Sequence, residues 1–242
     1  MPSNKPIGVI DSGAGGLSVL KKIQELMPNE ELLYLADSYF APYGPRSKRV
    51  IKNRCFENMG FIELQHSKAL VLACNTATAA GVEALREEYD IPIIGMEPAI
   101  KPAADLTRTG VVGVLATEGT LDSEKFMDLE SLYKDKVEII TKACHGLVDE
   151  IEKLKIDQGE IVKLVTEYSE DFLKRGGDTL VLGCTHYALI VDIIAEIVGP
   201  EVVVVDTGMA VAKELKRRLQ SEGLETDSKQ KGRISFFTSG NT

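Results

Sequence analysis

Cys74 and Cys184 each close an apolar run and open a hydroxyl-rich turn, in KALVLACNTATA and DTLVLGCTHYAL. A free thiol titrates near pH 8.5, and a helix N-terminus or a cation beside it lowers that value, so a cysteine so placed is poised to carry a proton. Alone, either one reads as a small core residue, which buried free cysteine commonly is. Two in near-echoing segments point instead to an acid and a base on opposite faces of one substrate, and the reaction that needs both is stereoinversion at a carbon. Asn75 and Thr76 follow the first thiol and are suited to capping a helix and hydrogen-bonding a ligand. Thr185 and His186 follow the second, and an imidazole there is able to relay a proton or bond the thiol. His186 also reads as a satisfied, partly buried histidine, or with Cys184 as half of a metal site. No third and fourth ligand with zinc spacing appears, so the metal reading ranks well below the acid–base one.

Asp11 and Ser12 open DSGAGG, where three glycines let the backbone turn tightly and present N–H groups to an anion. The glycine spacing is not a dinucleotide fingerprint, and no Lys-Ser/Thr follows to make a Walker loop. The plainer reading is a tight strand-to-helix turn with Asp11 or Ser12 as a cap; it weighs evenly against function for Ser12, while for Asp11 the echo beside the cysteine motifs favours function. Tyr43 and Gly44 in APYGPRS read as a loop able to close over a ligand, or as a Pro/Gly turn with a surface aromatic and a solvated Arg46. Cys55 and His66 read as structural, and Cys144 and His145 are ambiguous. Glu152 lies in an acid-rich helical stretch whose chemistry alone suggests a solvated face.

The elements that must hold these residues alternate between strand-like runs and amphipathic helical stretches. Strands are expected at 7–11, 31–36, 69–73, 91–95, 110–117, 137–140, 179–183 and 202–206, with a last one in ISFFTSG, and a long helix over 157–175. The pattern predicts an α/β fold of parallel sheets covered by helices. IGVIDSGAGG and VGVLATEGT both read as strand, polar turn and helix start, aligning Asp11 with Thr117 as Cys74 aligns with Cys184. That doubling predicts two similar parallel-sheet α/β domains related by pseudo-two-fold symmetry, with the active site in the cleft between them. The expected domains are 1–97 plus 207–242, with the last helix and strand returning, and 98–206.

A net charge of −9 over 242 residues opposes binding to nucleic acid and to anionic membranes. No apolar stretch approaches a membrane span, and the first residues carry no signal-peptide pattern, so a cytoplasmic location is expected. Cysteines 55, 74, 144 and 184 form no CxxC pair, which fits reduced, individually placed thiols. A homodimer is the expected assembly, and the exposed 221–232 loop is compatible with several arrangements.

In order and spacing, DSGAGG, the PYG loop, ACNTA and GCTHY resemble the glutamate racemase family, within the cofactor-independent aspartate/glutamate racemases. The resemblance covers nearly the whole chain. It implies interconversion of L- and D-glutamate, supplying D-glutamate for bacterial cell-wall peptidoglycan, with no pyridoxal phosphate or other cofactor and no metal. It assigns Cys74 and Cys184 as the base–acid pair, Cys74 taking the α-proton of D-glutamate, with Asp11, Glu152 and His186 as further catalytic groups. It assigns substrate contacts to Asp11, Ser12, Tyr43, Gly44, Asn75, Thr76, Thr117, Thr185 and His186. Three positions depart from the family pattern: Ala14 for valine, Ala188 for proline, and His145 for the proline of ACP, from whose alanine the match to Glu152 is counted. A racemase of aspartate or another amino acid, and a non-catalytic binding protein of this fold, are the other readings.

Overall fold

The computed structural model describes residues 3–153 and 157–240. Their strands all pair in parallel and form two sheets. The first has order β4-β3-β1-β2-β9, from β1 (Ile7–Asp11), β2 (Leu32–Ala36), β3 (Ala69–Leu72), β4 (Ile93–Ile94) and β9 (Ile234–Thr238). The second has order β6-β5-β7-β8, from β5 (Val111–Ala116), β6 (Glu138–Ala143), β7 (Thr179–Gly183) and β8 (Val203–Val205). The chain divides into two compact units, one running up to Met96 and again from Gly208, the other spanning Glu97–Thr207.

Parallel strands buried on both faces must be apolar throughout, which is why β1, β3 and β7 read as unbroken hydrophobic runs and are buried at every residue. Helices cover both faces of each sheet and make a separate core on each side. In the first unit, Leu17–Leu26 and Gly208–Glu222 pack on one face and Lys48–Leu64 and Asn75–Glu88 on the other. In the second unit, Gln158–Lys174 and Val191–Val198 share one core, and Ile100–Leu106 and Glu124–Ser131 the other.

The doubling is visible in each unit taken by itself. Read from its β8 edge, the second sheet has order β8-β7-β5-β6, which is the order β4-β3-β1-β2 of the first. The helix before each cysteine-bearing strand is 17 residues long, Lys48–Leu64 and Gln158–Lys174. Each starts on a side-chain cap, Ser47 accepting from the Val50 N–H and Asp157 from the Gly159 and Glu160 N–H groups. Each ends in a left-handed residue, His66 at φ 55° and Gly176 at φ 73°. There the Ser67 and Gly177 N–H groups return to the Ile62 and Phe172 carbonyls. Ile62 and Phe172 face equivalent central-strand glycines, where a Cβ would come within 2.8 Å of Ile62 at Gly8 and 2.6 Å of Phe172 at Gly113. Only glycine lets helix and strand approach so closely.

The ladder corrects one expected alignment. Ile10 pairs with Leu72 in one sheet and Leu115 with Leu182 in the other, so matching the two cysteines places Ser12, not Asp11, against Thr117. Asp11 corresponds to Ala116. Strand ends also differ from the sequence reading, most at β4 and β6. β4 is two residues, since Pro92 has no N–H to donate to the ladder. β8 is also short, at three residues. β6 runs on to Ala143, beyond the apolar residues, because an edge strand tolerates the exposed Thr141 and Lys142.

Candidate active site

In the first unit the site residues stand at the carboxyl ends of β1 and β3, where open α/β sheets bind ligands. Asp11 is fully buried and its Oδ1 accepts from the Gly13 N–H at 2.7 Å, an Asx turn that swings the chain into the helix at Leu17. The Tyr34 hydroxyl donates to the Gly13 carbonyl at 2.6 Å and fixes the same turn from beneath. Cys74 is extended (φ −139°, ψ 121°) and is itself the cap of the helix Asn75–Glu88, its sulfur accepting from the Ala77 N–H at 3.4 Å. That donor and the helix N-terminus together favour negative charge on the sulfur. The Ser12 hydroxyl lies 3.9 Å from the sulfur. Asn75 and Thr76 are buried beside it, and both amide atoms of Asn75 lack a hydrogen-bond partner among the described residues.

Tyr43 is not a surface aromatic. Only 2% of it is exposed, and its hydroxyl donates to Asp37 at 2.5 Å. Burial, then the Asp37 carboxylate, push the phenol far above its ordinary value, so it remains a donor. Gly44 beside it is half-buried. Arg46 is not merely solvated either: it bonds the Phe40 carbonyl and lies over the Phe40 ring. Asp37, which the sequence analysis does not single out, organises this region. It accepts from Arg54 at 2.8 and 2.9 Å, from Tyr43, and from the Ser239 hydroxyl at 2.6 Å. Burial alone would raise its carboxyl, but these donors outweigh burial and hold it below the usual range. The signal was its place one residue past β2, at the same edge as Asp11.

The second unit repeats the pattern with different side chains. Cys184 has nearly the backbone of Cys74 (φ −145°, ψ 135°) and caps the 3₁₀ turn Thr185–Ile190 without a side-chain cap bond. Its sulfur lies 3.8 Å from His186 Nδ1, and His186 Nε2 shares a 2.5 Å hydrogen bond with Glu152 Oε1. Thr185 and His186 are buried, whereas the Glu152 side chain keeps 28% of its surface exposed. Glu152 sits just past the short helix Leu147–Ile151, which begins at the left-handed Gly146. Thr117 pairs its hydroxyl with Thr120 at 3.0 Å. Cys144 is buried, and desolvation pushes its thiol up to about 12, as it does that of Cys55. His145 is exposed, its carbonyl accepting from the Tyr168 hydroxyl.

Each unit thus gathers its own expected residues: Asp11, Ser12, Cys74, Asn75 and Thr76 in one, Thr117, Glu152, Cys184, Thr185 and His186 in the other. Among the described residues no cluster of three or more His, Cys, Asp or Glu is arranged to hold a metal, and no helix is long and apolar enough to cross a membrane.

A duplicated parallel α/β protein with a cysteine opening the helical turn at each of two equivalent strand exits defines the class. The family described as Asp/Glu/Hydantoin racemase matches residues 7–215, and the chain belongs to it. It is 49% identical to the glutamate racemase of Methylococcus capsulatus over 97% of this chain and 87% of that one. Among solved structures it resembles a glutamate racemase isoform of Bacillus anthracis (35% identity, TM-score 0.87, covering 99% of this chain and 90% of that one). It also resembles the Escherichia coli glutamate racemase solved with L-glutamate and the activator UDP-MurNAc-ala (30% identity, TM-score 0.87, covering 98% and 90%).

Proposed function

We propose that this protein interconverts L- and D-glutamate by direct proton transfer between Cys74, Cys184 and the α-carbon. The observation that carries the reading is the matched pair of cysteine caps at equivalent strand exits, in a member of this racemase family. Cys74 as thiolate takes the α-proton of D-glutamate, and the Cys184 thiol donates its proton to the opposite face. L-glutamate leaves with the Cys74 sulfur protonated and the Cys184 sulfur negative, ready for the reverse passage. The Ala77 N–H supports charge on the first sulfur. With Glu152 accepting the Nε2 proton of His186, Nδ1 is open to take the proton of Cys184, so the pair serves as its relay. The α-hydrogen is far less acidic than a thiol, so preorganised donors must stabilise the carbanion. Asn75, with its two unpaired amide atoms, is the first of these. The product D-glutamate serves peptidoglycan synthesis in the cytoplasm, and the working assembly is a homodimer.

The test is deuterium wash-in at the α-carbon in heavy water from each enantiomer, with circular dichroism following inversion across a panel of amino acids. Glutamate is expected to invert and to gain deuterium from both starting hands. Cys74→Ser and Cys184→Ser should each lower racemisation at least about 10³-fold, while the surviving thiol exchanges the α-proton of one enantiomer only. Full racemisation in either variant, or inversion of aspartate in preference to glutamate, overturns the reading.

A further inference from the structure

Thr78 lies in the first turn of the helix after Cys74 and is fully buried. Its hydroxyl donates to the Leu72 carbonyl at 3.2 Å and accepts from the Met96 N–H at 2.9 Å. Leu72 is the last residue of β3, and Met96 follows shortly after β4. In the parallel ladder between these strands Leu70 stands opposite Ile93, and the Leu70 N–H bonds the Pro92 carbonyl at 2.9 Å. Bonds along a parallel ladder recur at alternate residues, so the Leu72 carbonyl is the one that comes to face the Met96 N–H. The Thr78 hydroxyl stands inside that rung, between donor and acceptor.

One side chain thus acts on two things. It holds the ends of β3 and β4 apart where a direct bond would draw them together, and it clasps the turn from residue 72 to residue 78, with Cys74 inside it. The Thr78 N–H closes the same turn on the Cys74 carbonyl at 2.9 Å, beside the Ala77 N–H that bonds the Cys74 sulfur. Room for the Thr78 methyl is made at Gly95, where a Cβ would come within 2.6 Å of it. With the two cysteines matched, Leu180 faces Val204 as Leu70 faces Ile93, so Thr207 takes the place of Met96 and Ala188 that of Thr78. Met96 and Thr207 are each the last residue before the chain passes from one unit to the other. The matching side chain in the second unit is a bare methyl group, so the clasp belongs to the Cys74 side.

We propose that Thr78 is a positioning residue for the proton transfer, its hydroxyl set in the rung between β3 and β4 so that it clamps the turn aiming the Cys74 sulfur. The hydroxyl gives its proton to one strand end and its oxygen to the other, and it touches no substrate. The inference rests on Cys74 being a working thiol, and one of its readouts needs no racemisation. Thr78→Val, which keeps the shape but not the hydroxyl, is compared with Thr78→Ala and Thr78→Ser for kcat and KM on glutamate. The rate of Cys74 alkylation by iodoacetamide is measured against Cys184 in the same molecule by peptide mass mapping. The valine and alanine variants are expected to lower kcat about tenfold with KM within about twofold. They should also lower the Cys74:Cys184 labelling ratio about threefold, because a loosened cap supports less thiolate. Thr78→Ser, which keeps the hydroxyl, holds kcat to within about twofold of the unchanged protein. Valine and alanine carry the same expectation, so a valine chain that does not fold leaves the alanine chain to decide. An unchanged kcat or labelling ratio in a folded valine or alanine variant, or a serine variant as impaired as the alanine one, overturns the proposal. A loss confined to melting temperature does the same, since it assigns the hydroxyl to the fold alone. A labelling ratio that falls as expected in a protein that inverts no glutamate would sink the racemase reading and leave the clasp standing.

Discussion

Asn75 sets the stability of the fold against the function proposed for its amide. Its side chain is buried at the first position of the helix after Cys74, with neither amide atom hydrogen-bonded among the described residues. An unpaired buried amide costs about 1–3 kcal/mol, and an apolar side chain of the same shape removes that cost. Asn75→Leu should therefore melt about 2 °C or more above the unchanged protein, while kcat/KM on glutamate falls about 100-fold. A lower melting temperature with intact racemisation would show that the amide serves the fold. The four cysteines separate by the same kind of argument. Burial holds Cys55 and Cys144 thiols up to about 12, so iodoacetamide at pH 8 should label neither, and label should accumulate on Cys74 and Cys184. Substantial labelling of Cys144 in the folded protein would contradict its burial. At this scale the sequence was informative wherever a side chain follows an apolar run, as Asp11, Cys74 and Cys184 do. It was silent on Asp37, whose partners Arg54 and Ser239 are 17 and 202 residues away along the chain.

Elements depend on polar groups that no periodicity reveals. Asp178 stands just before β7 and joins its start to the segment entering β5. Its carboxylate accepts from the Thr107 hydroxyl at 2.5 Å and from the Arg108 and Thr109 N–H groups at 2.8 and 3.2 Å. Burial would raise its pKa, but these donors bring it from 3.8 to about 2. A carboxyl depressed on folding stabilises the folded state above its unfolded pKa, and that contribution fades as pH falls towards the folded value. The shift corresponds to about 2 kcal/mol, fully present at pH 5 and lost between about pH 4 and pH 2. Asp178→Asn should lower denaturant stability at pH 6 and flatten its slope over that acid window. An unchanged slope would mean that the carboxylate is equally well solvated in the unfolded chain. The strands themselves were legible because burial on both faces demands apolar residues, and β1 and β7 have the bounds that the hydrophobic runs suggest. The edges were less so. β6 continues through Thr141 and Lys142, where one side of the ladder has no neighbour and polar residues are tolerated.

Across the whole molecule the repeated unit explains both what the sequence disclosed and where it misled. The two cysteine strands, the helices before them and their end caps keep one spacing, so the echo at Cys74 and Cys184 was audible. The central strands keep a slightly different one, because the second unit has longer crossovers, and the alignment slipped by a residue at Asp11 and Thr117. Ala116 fills the place of Asp11 in the second unit, where a carboxylate enters from Glu152, beyond the short helix Leu147–Ile151, and bonds His186. The two halves therefore share a frame but surround their thiols with different partners, Ser12 and the Ala77 N–H at Cys74, His186 and behind it Glu152 at Cys184. The frame also predicts where damage stops. Phe172 and Ile62 fill equivalent gaps above Gly113 and Gly8, each within the core of its own unit. Phe172→Ala removes a buried ring and should cost about 3–5 kcal/mol, Ile62→Ala about 2–5 kcal/mol. Amide hydrogen exchange should show the Phe172→Ala loss across β5, β6 and β7 with β1–β3 still protected, and the reverse for Ile62→Ala. Equal loss of protection in both sheets from either substitution would mean that the two cores unfold as one, and the duplicated frame would then be a matter of ancestry and not of energetics.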